Sequence, residues 1–106
     1  AIQAAFAAVG VDWLDARVVS AHSRVPSVSP ADLAGVRKLA VLAGHRAARS
    51  WLAAVAANLG RGYVCFVCAN LTLPGESVRR VRLSALHRGA LPACSVVLFI
   101  RKEELI

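Results

Sequence analysis

The chain has 106 residues, enough for one domain with one modest core. Hydrophobic residues make up 58% of it, yet no apolar run approaches the roughly 18–20 residues a membrane-spanning helix needs, and the apolar opening is a poor match for a signal peptide. The formal charge of +7 admits an anionic substrate or nucleic acid, but the few aromatic residues do not interleave with the arginines, which argues against a single-strand platform.

Ile2, Ala5, Phe6 and Val9 share one helical face, and Gly10 is placed to end that helix. Residues 15–22 alternate Ala16, Val18, Ser20 and His22 against Arg17, Val19 and Ala21, which predicts a strand. Residues 23–30 hold two prolines and three serines and read as a loop. Ser29 before Pro30 has the form of a helix start, with one turn reaching Gly35.

Residues 38–43, Lys-Leu-Ala-Val-Leu-Ala, are a short apolar run ending at Gly44 and predict a buried strand. The period then changes. Ala48, Trp51, Leu52, Val55, Ala56 and Leu59 recur at three- and four-residue steps, the stripe of a helix over residues 46–59 that Gly60 closes. Residues 63–68, Tyr-Val-Cys-Phe-Val-Cys, form a second buried strand, followed by the loop 70–74. Strand, helix and strand with short links make a right-handed βαβ unit in a largely parallel sheet. Ligands of such sheets bind beyond the carboxyl ends of the strands. Ala43, Gly44 and residues 69–72 are therefore the first candidates for a site.

Pro74 and Gly75 supply turn chemistry. Residues 77–83 place Ser77, Arg79, Val81 and Leu83 on one side and Val78, Arg80 and Arg82 on the other, a half-exposed antiparallel strand near an edge. Ser84 is placed to cap a short helix to His87, and Gly89 and Pro92 break the chain again. Residues 94–100 are apolar almost throughout and predict a central strand. The class is α/β with a mixed five-stranded sheet. The chain has no methionine, and its first six residues already have helical spacing, so it is expected to be a piece of a longer protein.

Cys65 and Cys68 have the spacing of a redox or metal pair, but residues three apart in a strand point to opposite faces. Two buried, inert thiols are expected, and Cys94 reads the same way. Three cysteines without a secretory signal set the expectation of reduced thiols in the cytoplasm. His22, His45 and His87 lack the carboxylate partners of a metal or nucleophile site, and no phosphate loop or paired carboxylate is present. No catalytic residue and no metal ligand is expected. Arg46 and Arg49 lie in the first turn of a helix, where the dipole disfavours cations. Solvent screening explains them, or an anionic ligand near that end.

Several segments in fixed order carry a resemblance: Ser20-Ala-His22-Ser-Arg24, Val41-Leu-Ala43-Gly44, the run from Val67 through Asn70, Leu71 and Pro74 to Glu76, and Pro92-Ala-Cys-Ser-Val96. Together the chain resembles the carboxyl-terminal half of the tetrapyrrole methylases, in the branch of the decarboxylating precorrin-6Y C5,15-methyltransferases of cobalamin biosynthesis. Ser23 stands where that branch usually has glycine, and Ala69 where it usually has glutamate. The resemblance implies a three-layer αβα domain with a mixed, mostly parallel five-stranded sheet over residues 1–106. It implies an S-adenosylmethionine (SAM)-dependent methyltransferase acting on a precorrin, with this domain as the adenine side of the SAM cleft. Ala43, Gly44, Asn70, Leu71 and Thr72 would bind SAM, and His22 and Arg24 would face the substrate, an arginine being suited to a side-chain carboxylate. The implied partners are an amino-terminal methylase domain of the same protein and a second copy in a homodimer, with neither nucleic acid nor membrane. Two other readings remain open on the residues alone. One is a basic nucleic-acid module using Arg79, Arg80 and Arg82. The other is a scaffold or dimerisation domain.

Overall fold

The computed structural model describes residues 2–21, 24–44, 48–83, 86 and 95–105. Helix α1 spans Ile2–Val9, strand β1 Arg17–Ala21, strand β2 Lys38–Ala43, helix α2 Ala48–Leu59, strand β3 Tyr63–Ala69, strand β4 Ser77–Val81 and strand β5 Ser95–Arg101. The predicted strand over 15–22 starts later, because Asp15 takes a left-handed φ of 60° and the Ala16 N–H turns back to the Trp13 carbonyl at 3.2 Å. Ser29 and Pro30 do open a helical turn, a 3-10 turn over Pro30–Leu33. Of the predicted short helix from Ser84 to His87 only Leu86 is described, buried and with its N–H donating to the Leu83 carbonyl at 3.3 Å; its other residues lie outside the described ones, as do Cys94 and all three histidines.

The sheet is mixed and five-stranded, in the order β1-β2-β5-β3-β4. The largely parallel pairing expected of it is corrected. β1 and β2 pair in parallel, whereas β2–β5, β3–β5 and β3–β4 are antiparallel. The reason lies in the crossover. β2, α2 and β3 form the expected unit with both strands running the same way, but the crossover leaves one strand position open between them. β5, apolar along almost its whole length, enters that position in the opposite direction and bonds on both sides. β4 returns from β3 through a tight turn and takes the edge.

The alternation of each strand divides the core into two. On one face, Trp51, Leu52, Val55, Ala56 and Leu59 of α2 pack on Leu39, Val41, Cys65, Val67, Val97 and Phe99. On the other, Ala5 and Phe6 of α1 pack on Ala40, Cys68, Val96, Leu98 and Ile100. Helix, sheet and helix form three layers. Burying a side chain such as Phe6 or Phe99 contributes roughly 1.5–3 kcal/mol, so the two helices are held by apolar area. Directed bonds then set their loops. The Trp51 indole N–H donates to the Val28 carbonyl at 2.8 Å, and the Tyr63 hydroxyl donates to the Val36 carbonyl.

Among the described residues Lys38 is the one charged residue that is buried, at 6% exposure. Its ammonium donates to Asp12 Oδ1 at 2.8 Å and to the Leu14 carbonyl at 3.1 Å, with Glu104 at 3.8 Å. These bonds fasten the α1–β1 connection and the turn after β5 to the start of β2. The Lys38 bond, then the Leu14 N–H, hold the Asp12 carboxyl below its ordinary value. A carboxyl lowered in the native state adds stability above its unfolded pKa and loses it as pH falls through the native one. Thermal melts between about pH 5 and 2 should therefore show the native chain losing stability more steeply than Asp12→Asn. Identical acid profiles would mean that the pair contributes nothing.

Candidate functional site

The register aligns one residue from every strand at the carboxyl end of β3. Ala21 of β1 is opposite Ala43 of β2, Ala43 opposite Ser95 of β5, Ser95 opposite Ala69 of β3, and Ala69 opposite Ser77 of β4. All five residues are small, and Ala21, Ala43, Ser95 and Ala69 are buried. β2 and β3 both end at this row, two strand spacings or about 10 Å apart. A row of small side chains under two outgoing loops lets a ligand come close to the backbone.

The loop after β3 is built on unusual backbone. Asn70 and Thr72 have φ of 51° and 65°. Asparagine tolerates the left-handed region, whereas a β-branched threonine there is an outlier. The loop holds this shape with its own bonds. Leu73 N–H donates to the Asn70 carbonyl at 3.0 Å, Glu76 N–H to the Leu73 carbonyl at 3.1 Å, and Thr72 N–H to Glu76 Oε1 at 2.9 Å. Gly75, at φ 84°, completes the turn that Pro74 and Gly75 announce in the sequence. Leu71 packs on the α1 side of the core, which anchors the middle of the loop.

Ala43, Gly44, Asn70, Leu71 and Thr72 are thus brought to one edge of the sheet. Because Ala21 is in register with Ala43, the segment leaving β1 starts from the same edge. Arg24 on that segment is exposed, and His22 lies outside the described residues, as do His45 and Arg46. Two residues of this region stand in the resembling segments of the sequence without an assigned role. Ser95 fills the place between Ala43 and Ala69, which only the insertion of β5 creates. Glu76 bonds the Thr72 amide, a contact that the Asn70 and Gly75 turn signals could have suggested.

Cys65 packs on the α2 face and Cys68 on the α1 face, as their strand spacing predicts, and both are free. Burial pushes the Cys65 thiol up to about 12. Burial, then the nearby Glu76 carboxylate, pushes Cys68 up to about 11. Thiols held so far above neutrality are poor nucleophiles. Among the described residues no three His, Cys, Asp or Glu side chains come together in a way that could hold a metal ion. Nor is any helix among them long and apolar enough to cross a membrane.

No family model and no curated protein matches the sequence. Solved structures do match the fold. Over 97% of its length the chain superposes on a cobalt precorrin-4 methyltransferase of cobalamin biosynthesis, with a TM-score of 0.68 at 16% identity. Uroporphyrin-III C-methyltransferase of Thermus thermophilus complexed with S-adenosylhomocysteine gives 0.65 at 19% identity over 91% of the chain. Precorrin-6Y methylase of Archaeoglobus fulgidus gives 0.59 at 22% identity over 95%. The fold is that of the tetrapyrrole methylases. The chain spans 48%, 48% and 44% of those three proteins, slightly less than half of each.

Within this methylase fold, two measurements test the local geometry. Thr72→Gly keeps the bond from residue 72 to Glu76 and removes the left-handed penalty of about 1–2 kcal/mol. After the greater unfolded-state freedom of glycine is subtracted, chemical denaturation should show a gain of about 0.5 kcal/mol. A loss would mean that the threonine side chain makes a contact worth more than the strain. Alkylation followed by intact mass should leave Cys65 and Cys68 unmodified in the native state and modify both after denaturation without reductant. Stoichiometric zinc, or a bond surviving denaturation, would overturn their description as inert thiols.

Proposed function

We propose that this chain is the carboxyl-terminal half of a SAM-dependent methyltransferase that acts on a precorrin, supplying the adenine side of the SAM cleft and part of the tetrapyrrole site. The observation that carries the reading is the alignment of Ala43 and Ala69 on either side of Ser95, with the left-handed Asn70–Thr72 loop leaving from that row. This is the edge at which an α/β sheet binds ligands. Three methylases of the same fold, one of them complexed with S-adenosylhomocysteine, give the ligand its class.

Bound SAM supplies an electrophilic methyl group. On this chain, Ala43 and Gly44 leave room for the adenosyl group beside the backbone. The Thr72 N–H is already committed to Glu76, so reading the adenine edge falls to the amides of Asn70 and Leu71. Arg24, with His22, faces the tetrapyrrole and pairs with one of its carboxylates. Methyl transfer to a nucleophilic ring carbon chiefly requires alignment of donor and acceptor, so no nucleophile is needed from this domain. The other wall of the cleft and the sulfonium end of SAM fall to an amino-terminal methylase domain, and the assembled enzyme acts as a cytoplasmic homodimer.

Calorimetric titration tests the division of the site. SAM should bind this chain alone at least about 100-fold more weakly than the same chain joined to its amino-terminal domain, a difference of roughly 2.7 kcal/mol. Micromolar binding by the chain alone would place the whole site within these residues. In the two-domain enzyme, Arg24→Ala should raise KM for the tetrapyrrole by about tenfold or more and leave SAM affinity within about twofold. Equal losses for both ligands would remove Arg24 from the substrate side.

A further inference from the structure

The two edge strands of the sheet, β1 and β4, differ in how they meet a further strand. β4 is guarded by charge. In the antiparallel register that would pair it over its whole length with a second β4, Arg79 would lie opposite Arg79, and like charges so placed repel. β1 has no such guard. Its one charge is Arg17, at its first position, and Val18 to Ala21 are uncharged. Among the described residues the backbone of β1 bonds only to β2, which leaves the N–H and C=O groups of its outer side without a protein partner. Exposed apolar side chains gather at the same place. Val18 on β1 is 50% exposed, and Trp13, Leu14 and Val25, all exposed, flank the strand in sequence.

We propose that β1 is the contact between two copies of this chain, each pairing its β1 antiparallel with the other's about a twofold axis at Val19. In that register Arg17 lies opposite Ala21, Val18 opposite Ser20 and Val19 opposite Val19. The whole strand pairs, and no two charges stand opposite each other. Side chains opposite each other in an antiparallel pair share a sheet face, and this register keeps to that. Val18 and Ser20 are aligned with Ala40 and Leu42, which face α1, whereas Arg17, Val19 and Ala21 are aligned with Leu39, Val41 and Ala43, which face α2. A twofold axis normal to the sheet therefore joins the two sheets into one, with both α1 helices on the same side. The antiparallel direction also brings the end of β1 preceded by Asp15 in one copy to the end from which Arg24 departs in the other. Asp15 and Arg24 are both exposed, so Arg17 and Arg24, which approach each other there, are met by a carboxylate. The pairing deepens the homodimer reading given above and sets the contact beside the segment that carries Arg24. Its test reads mass alone, so its failure would leave the SAM and tetrapyrrole assignments standing.

Sedimentation velocity of the full chain, 11.2 kDa as a monomer, tests the pairing and should show a concentration-dependent dimer. Val18→Lys with Ser20→Lys sets lysine opposite lysine at both symmetry-related positions and should weaken dimerisation by about tenfold or more. Val18→Lys with Ser20→Glu sets lysine opposite glutamate at the same positions and should restore it to within about threefold of the native chain. Arg79→Gln on the other edge strand should change it less than about twofold. Val18 and Ser20 are both exposed, and thermal melts confirm that each variant is folded. A chain that stays monomeric up to about 1 mM overturns the proposal. Undiminished dimerisation of the double-lysine variant also overturns it, because another surface would then hold the dimer. Equal loss in both double variants overturns the register that sets Val18 opposite Ser20.

Discussion

β5 is the constraint on which the rest of the structure depends. Six of its seven residues are buried, and it bonds to β2 on one side and β3 on the other. Its even-numbered residues Val96, Leu98 and Ile100 receive α1, while Val97 and Phe99 receive α2. One strand thus joins both layers of helix and both halves of the sheet. Without it β2 and β3 would be two strand ends with nothing to fix their spacing. With it, Ala43 and Ala69 are held at one level with Ser95 between them.

The two ends of the sheet are consequently unlike. At the carboxyl ends of β2 and β3 the side chains are small and the loop after β3 is tied into a left-handed shape by Glu76. At the other end are bulk and charge: Tyr63 locked between Val36 and Arg101, and cations on three different elements. A sheet has two ends at which chain termini and loops meet, and here the two differ in side-chain size and charge. The first suits a ligand that approaches the backbone closely.

The pairing of the mixed sheet departs from the expected mostly parallel one for a reason that the residues of the βαβ unit do not contain. Periodicity reports which face of an element is buried, as it does for α1 and α2, and apolar runs report burial on both faces, as in β2, β3 and β5. It does not report which strand lies beside which. Val96 to Ile100 could satisfy their burial in any interior position, parallel or antiparallel. The open position left by the crossover, and the backbone bonds available on both sides of it, decide the matter.

What the sequence by itself determined was local: the helical stripe of α2, the apolar runs of β2, β3 and β5, the polar edge strand β4, and the opposite facing of Cys65 and Cys68. Each follows from a repeat of side-chain direction along a few residues. The carboxyl ends of β2 and β3 were also legible as a candidate site, because strand direction follows from a βαβ connection. Tertiary structure alone decided that Ser95 stands between Ala43 and Ala69, that Glu76 reaches back to the Thr72 amide, and that the Tyr63 hydroxyl meets the Val36 carbonyl and Arg101. Those partners come from separated segments, and no local pattern brings them together. Only the closing of the core around β5 does so.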